Sequence, residues 1–404
     1  MKRITTIYII ILLLHAGAHA QTSGTVGGGG AIGIDEVLRR IEANNQELQA
    51  NAHSLAAQKL ENRAENNLPD PTLSYAHLWG ARDKGETIGE LVVSQSFDFP
   101  TLYATRARAN RLRTASLDAQ ATDFRQQLLL RAKELCLDIL MLQRLQTLLD
   151  ERLEQASELQ AYYRKRLETG DANILETNKL NLELLNIRTQ SRTNRTALEA
   201  AWLELSSLNG GQPLTASSIA DSPSCPLPAD YGVLREEVLA ADAALQSLEQ
   251  ESAAARKQVS VSRQGWLPKL ELGYRRNTES GAPFNGVVVG FSLPIFENRS
   301  KVKTAKAQAM DTDFRREGAR LRAESELAQL YGEARALQAS IEEYQEALRA
   351  QRDMDLLRQA LTGGQISVTE YFVEVSVVYQ SRQNLLEIEN RYRKVMARIY
   401  KGRL

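Results

Sequence analysis

Few residues in this chain have the types and spacing that catalysis requires. Beyond residue 20 the only histidines are His53 and His77, and neither has partners at a metal-ligand spacing. Cys136 and Cys225 each stand alone. The run Gly27 to Gly30 does not follow a strand and lacks the lysine and hydroxyl of a phosphate-cradling loop. Carboxylates are plentiful, but on long amphipathic stretches they form the solvated face. The expectation is therefore no enzyme, no cofactor and no resident metal. Two acids do recur in one context: Glu176 follows Gly170, and Glu370 follows Gly364, with Asp171 and Glu374 close by.

The recurrence belongs to a larger one. Leu68, Pro69, Leu73 and Tyr75 meet Leu267, Pro268, Leu272 and Tyr274 at one constant spacing. The run Ser96-Phe-Asp-Phe-Pro100 returns as Gly290-Phe-Ser-Leu-Pro294, and the glycine tips return with it, at a spacing five residues shorter. The chain is a tandem duplication. Its 404 residues carry zero net charge, which argues against a nucleic-acid partner, and the Ala, Leu, Glu, Gln and Arg bias points to long helices.

The N-terminus reads as a secretory signal peptide over residues 1–20: Lys2 and Arg3, an apolar run from Ile7 to Leu14, then Ala18-His19-Ala20. Residues 21–33 follow as a glycine-rich flexible segment. Export would permit a bridge between Cys136 and Cys225, although two unpaired thiols are the plainer expectation.

The first repeat, 34–208, begins with a helix from Ile34 to Asn67 that Pro69 and Pro71 terminate. A hairpin over 72–99 follows, with Leu73, Tyr75, His77 and Trp79 on one face of its first strand, joined by a polar turn from Gly80 to Thr87. In its second strand Leu91, Val93, Phe97 and Phe99 alternate with Glu90, Ser94, Ser96 and Asp98. Thr101 to Thr169 then contains no Gly or Pro, and as one helix it reaches on the order of 100 Å. Leu128, Leu135, Leu142 and Leu149 recur every seven residues along it, as in a packed coiled coil. Gly170 breaks the run, and a returning helix spans Asn173 to Leu208.

A connecting segment, 209–231, leads to the second repeat, 232–404. There the expected elements are a helix from Val233 to Gln264 and a hairpin over 269–293, with strands Lys269 to Arg276 and Gly286 to Leu293 around a turn from Thr278 to Asn285. A long helix from about Arg299 to Leu361, the tip Gly363-Gly364 and a closing helix from Ser367 to Tyr400 complete it.

Strands of this length with one apolar face suit a transmembrane β-strand, and equally a small soluble sheet with one solvated face. Four strands cannot close a useful barrel, so a membrane location would require several chains to share one. Glu90, Ser94, Ser96, Asp98 and Ser292 would then line water.

The order helix, hairpin, long helix, tip, returning helix, stated twice, resembles the TolC-like outer-membrane efflux protein family. So do Ala43-Asn-Asn-Gln-Glu-Leu48, the Leu-Pro step into each first strand, the proline ending each hairpin, and the tip glycines followed by Glu176 and Glu370. The resemblance implies a mainly α protein with a membrane β-barrel. Three chains would form a homotrimer, pooling their strands into a twelve-stranded barrel in the outer membrane, continued by a periplasmic α-helical barrel. It further implies a passive conduit whose tips dock with a periplasmic adaptor and an inner-membrane pump. Carried over onto this chain, the gate positions are Gly170, Asp171, Glu176, Gly364, Glu370 and Glu374, where three copies would set rings of carboxylates around a narrow pore. Glu176 and Glu370 could equally serve only to stabilise the first turns of their helices.

Ile366 and Ala172 leave the early tip without a basic residue, so a gate locked by arginine pairs is not expected there. Short outer turns and a brief middle segment are closer to the heavy-metal or cation-efflux branch. A conduit for protein secretion and a soluble periplasmic coiled-coil scaffold are the alternatives that these residues leave open.

Overall fold

The computed structural model describes residues 31–79, 87–171, 173–214, 218–220, 226–279, 282–296, 298–350 and 354–404. The signal-peptide reading, the turn 80–86, Ala172 and Cys225 lie outside the described residues. In chain order the elements are β1 (Ala31–Ile32), α1 (Ile34–Asn44), α2 (Gln46–Ala64), β2 (Thr72–Trp79), β3 (Thr87–Phe97), α3 (Pro100–Glu168), α4 (Ile174–Leu208) and β4 (Ser218–Ile219). The second half supplies α5 (Tyr231–Ala241), α6 (Ala243–Gln264), β5 (Lys269–Glu279), β6 (Ala282–Ser292), α7 (Lys301–Ala350), α8 (Met354–Thr362) and α9 (Val368–Ile399).

The long helix α3 forms because nothing in its sequence stops it. Pro100 opens it at the first turn, where a missing N–H costs nothing, and no Gly or Pro follows until Gly170 takes φ +81°. There the Asp171 amide donates back to the Arg166 carbonyl at 2.7 Å, closing the helix end. The second tip closes the same way: Gly364 takes φ +72° and the Gln365 amide donates to the Ala360 carbonyl at 2.8 Å.

The first helix of each repeat is broken where the sequence reading had it continuous. Asn45 leaves the helical region (φ −69°, ψ 123°), and its side-chain oxygen accepts from the Leu48 amide at 2.9 Å. Its Nδ2 donates to the Leu208 carbonyl at 2.8 Å, so one buried side chain caps α2 and satisfies the end of α4. In the second half Asp242 occupies the corresponding break and accepts from the Leu245 amide at 3.0 Å. A second correction concerns the last residues of the segment expected to be flexible. Ala31 and Ile32 belong to a parallel ladder with Ser218 and Ile219, where Ile219 is buried and the ladder ties these two residues to the middle segment.

The main core lies along α3, where Ala132, Cys136 and Ile139 meet Val37, Ile41 and Leu205, all fully buried. Each large apolar side chain removed from water contributes about 1.5–3 kcal/mol. A second cluster, of Leu159, Tyr163, Leu180, Leu361, Val368 and Tyr371, sits at the tip end. A third joins α5, α7 and α9 through Leu234, Leu327, Ala334 and Val395. In the half nearer the strands, α3 packs on α2 and α6, and α6 on α7; nearer the tips α3 packs on α4 and α9, and α9 on α7.

Candidate functional site

Two places concentrate features that the packing of one chain leaves unexplained: the sheet and the tips. The four long strands form one antiparallel sheet in the order β2-β3-β5-β6. This order repeats that of the helices leading into and out of the strands, α2, α3, α6 and α7, so the two duplicated hairpins lie side by side. β2 and β6 are edges with no further partner among the described residues.

The second hairpin is longer than the sequence reading expects. Pairing continues from Lys269↔Ser292 to Glu279↔Ala282, so Thr278 and Asn285, placed in a turn, are strand residues. Pro283 stands at the very start of β6, beside the turn, where a missing N–H is tolerated.

Register sorts the side chains. One face carries Leu73, Val93, Tyr274 and Val287 in one row, with Leu272, Val289, Leu270 and Phe291 nearer the helices. This face is bare: Val287 is 79% exposed, Leu73 72% and Phe291 69%. An apolar surface so extensive marks a site of contact with a partner or a membrane. The other face carries Glu90, Ser94, Ser96 and Ser292, with Glu271 and Arg275 among them. Ser94 is buried against Thr72, their hydroxyls 2.8 Å apart. Glu90 is paired with Arg275 at 2.7 Å, a bridge between the two hairpins that sequence inspection missed. Asp98 lies one residue beyond the end of β3 and pairs with Arg106 at 2.7 Å at the start of α3.

Close approach shapes the sheet at one glycine. A Cβ on Gly273 would lie 2.7 Å from the Val93 carbonyl oxygen and 2.9 Å from Ser94 Cβ, so no side chain fits where the two hairpins meet.

At the tips the recurrent acids are helix caps. Asn173 accepts from the first turn of α4, and the Glu176 carboxylate accepts from the Asn173 amide at 3.1 Å. Ser367 accepts from the Glu370 amide at 3.2 Å, and Glu370 accepts from the Ser367 amide at 2.7 Å. Both are complete capping boxes. The hydrogen bonds from the Ser367 backbone and side chain hold the Glu370 carboxyl below its ordinary value. Asp171 accepts from the Thr169 hydroxyl at 2.9 Å, while Glu374 lies exposed on α9 one turn beyond the cap. The structure thus brings Gly170, Asp171 and Glu176 together on one tip and Gly364, Glu370 and Glu374 on the other.

Cross-links that sequence inspection did not find hold the two tips against each other. Lys179 donates to the Thr369 hydroxyl at 2.7 Å, and Arg358 pairs with Glu158 at 2.7 Å. Arg152, held by Glu183 within the first helical hairpin, lies over the Tyr379 ring of the second, 5.3 Å from its centroid. Tyr379 in turn donates to Gln155 at 3.0 Å. The Arg and Tyr types were visible in the sequence, but no periodicity paired them across helices more than a hundred residues apart.

Cys136 is a free thiol buried in the main core, which pushes its pKa up to about 12. Among the described residues no three His, Cys, Asp or Glu side chains are placed to hold a metal ion. Among them, too, no helix is long and apolar enough to cross a membrane.

Residues 234–401 match the outer membrane efflux protein family. Comparison with curated proteins found no significant match. Among solved structures, CusC is 17% identical with a TM-score of 0.70, covering 95% of each chain. The outer membrane protein VceC of Vibrio cholerae is 15% identical with a TM-score of 0.75, covering 91% of this chain and 95% of its own. The CmeC outer membrane channel of Campylobacter jejuni is 15% identical with a TM-score of 0.75, covering 91% and 85%. The second repeat therefore carries the pattern of the outer membrane efflux proteins, and the chain as a whole has the fold of these channel proteins.

Proposed function

We propose that this protein is the outer-membrane channel of a tripartite efflux system, a passive conduit that exports small molecules or metal cations. The observation that carries the reading is the four-stranded sheet, with an exposed apolar face and two unpaired edges, standing on helices on the order of 100 Å long. An open edge cannot lie in lipid, because each unpaired N–H and C=O would lack a hydrogen bond. Three copies joining β6 of one to β2 of the next remove every edge and make a twelve-stranded barrel. Its apolar face turns to lipid, while Glu90, Ser94, Ser96 and Ser292 turn to the lumen. Asp98, bound to Arg106, stands at the lower rim.

The helices below supply the same logic. Leu182, Leu185 and Leu203 on α4 are exposed, as are Met310, Phe314 and Leu321 on α7. These helices flank opposite sides of the protomer, where neighbouring copies of a homotrimer cover them and complete a periplasmic helical barrel. The tips, from Gly170 to Glu176 and from Gly364 to Glu374, form the periplasmic end that meets an adaptor and an inner-membrane pump. Glu176 and Glu370 hold the helix starts there, and Glu374 is the acid left to face the aperture.

The exposed sheet face also weighs against a soluble periplasmic scaffold, which would have to keep Leu73, Val287 and Phe291 in water.

The test is fractionation of the full chain followed by mass determination. The expected result is a leaderless protein in the outer membrane, extracted only by detergent, at the mass of a trimer; a soluble monomer or dimer overturns the reading. Sensitivity of a deletion strain then sorts the cargo. Metals alone would indicate cation export, dyes and bile salts amphiphile export, and a changed set of secreted proteins a secretion conduit.

A further inference from the structure

On the exposed face of the sheet the rows change character with height. Nearest the helices they are mainly apolar: Phe97, Leu270 and Phe291, then Leu272 and Val289 with Gln95 as the one polar member, then Leu73, Val93, Tyr274 and Val287. The next rows are different. Tyr75 and Leu91 align with Arg276 and Asn285, and His77 aligns with Gly89 and Thr278. All of these but Asn285, together with Thr87, line a shallow cavity of about 350 Å³. His77 sits edge-on to Trp79, their ring centroids 5.0 Å apart. Gly89 leaves room for the Tyr75 ring to lie across it: a Cβ there would meet the Tyr75 hydroxyl at 3.2 Å.

The adjacent arginines Arg275 and Arg276 make the point. Arg275 points to the polar face and is neutralised by Glu90 at 2.7 Å. Arg276 points to the apolar face, is exposed, and has no carboxylate partner among the described residues. A lipid-facing arginine is costly at the bilayer midplane and nearly free at the interface. Its position near the strand ends farthest from the helices puts it at the headgroup level of the outer leaflet, beside the aromatic residues suited to that level.

We infer that Arg276, with the Tyr75 hydroxyl and the Thr87 and Thr278 hydroxyls around it, forms a binding site for a phosphate group on an outer-leaflet glycolipid. A guanidinium donates two parallel hydrogen bonds to phosphate oxygens, and the hydroxyls add further donors. The apolar rows below receive the acyl chains. The inference rests on the membrane reading above, since only that reading puts lipid against this face.

The experiment is native mass spectrometry of the detergent-extracted full-length protein with a bis-phosphorylated diglucosamine glycolipid and with its dephosphorylated form. The wild type is expected to retain the phosphorylated lipid about tenfold better, the contribution of a charge-assisted pair. Arg276→Gln removes the preference, Arg276→Lys keeps part of it, and Thr278→Val weakens it less. A wild type that retains both lipids equally overturns the site, as does an assembled Arg276→Gln protein with the preference intact. A wild type recovered from the soluble fraction overturns the membrane reading itself, so the two failures are distinguishable.

Discussion

The two repeats have the same plan but not the same position in the protomer. Counted from Pro100 and Pro294, one spacing runs through both long helices to Gly170 and Gly364. At that spacing Ile139, fully buried on α3, corresponds to Glu333 on α7, which pairs with Arg391 at 2.6 Å. Ala132, also fully buried, corresponds to the exposed Glu326. α3 is the central beam, flanked by α1, α2, α4, α6 and α9 of its own chain, whereas α7 lies at one side against α5, α6 and α9. Duplication supplied two copies of one frame, and burial then sorted their sequences. The beam buries apolar side chains along much of its length, while the flanking helix kept a polar surface with a few large apolar residues left for a neighbour.

The sharpest way to break this contrast is to exchange the characters of matched positions. Ile139→Glu places an unpaired carboxylate in the main core and is expected to cost more than about 3 kcal/mol. Glu333→Ile removes a partly exposed ion pair and is expected to cost less than about 1 kcal/mol. Protease resistance of the assembled protein measures both. Equal losses would mean that α7 is as enclosed as α3 and that the two repeats are interchangeable.

The helix breaks give a smaller difference of the same kind. Asn45→Ala removes the cap of α2 and also strands the buried Leu208 carbonyl, so a loss of about 2 kcal/mol is expected. Asp242→Ala removes only a cap, with about 1 kcal/mol expected. Denaturation midpoints of the two variants would show whether the first repeat is tied more tightly at this point; a larger loss for Asp242→Ala would reverse the order.

These breaks also show what a sequence can carry. Alternation placed Thr72 to Trp79 on a strand because its period of two is local, and the absence of Gly and Pro announced α3 for the same reason. Asn45 was less legible. Its side chain reads as a helix-compatible amide until the Leu208 carbonyl, supplied by the far end of the repeat, gives it a reason to leave the helix. The turn expected from Thr278 to Asn285 failed similarly: polar residues suggested a loop, while cross-strand pairing as far as Glu279↔Ala282 decided for strand. At the tips the signal was present but double. An acid three residues after Ser367 is both a capping box and a potential pore carboxylate, and only the 2.7 Å bond from the Ser367 amide selects the cap in this conformation.

That bond makes the tips the place for the smallest and most specific effect. The Glu370 carboxyl is held below its ordinary value of 4.5 by hydrogen bonds from Ser367, so in the folded state it prefers to be charged. The stability this contributes is fully present above that ordinary value and is lost as pH falls through the lowered one. Hydrogen exchange in the first turn of α9, referred to buried amides of α3, should therefore accelerate below about pH 4.5, beyond the intrinsic change in exchange rate. Glu370→Gln retains an acceptor for the Ser367 amide but has no proton to gain, so its protection should not change with pH. Glu370→Ala should lose protection at every pH. If the wild type and Glu370→Gln respond to acid alike, the carboxylate is not the group holding this tip, and Glu370 becomes available again as a residue facing the aperture.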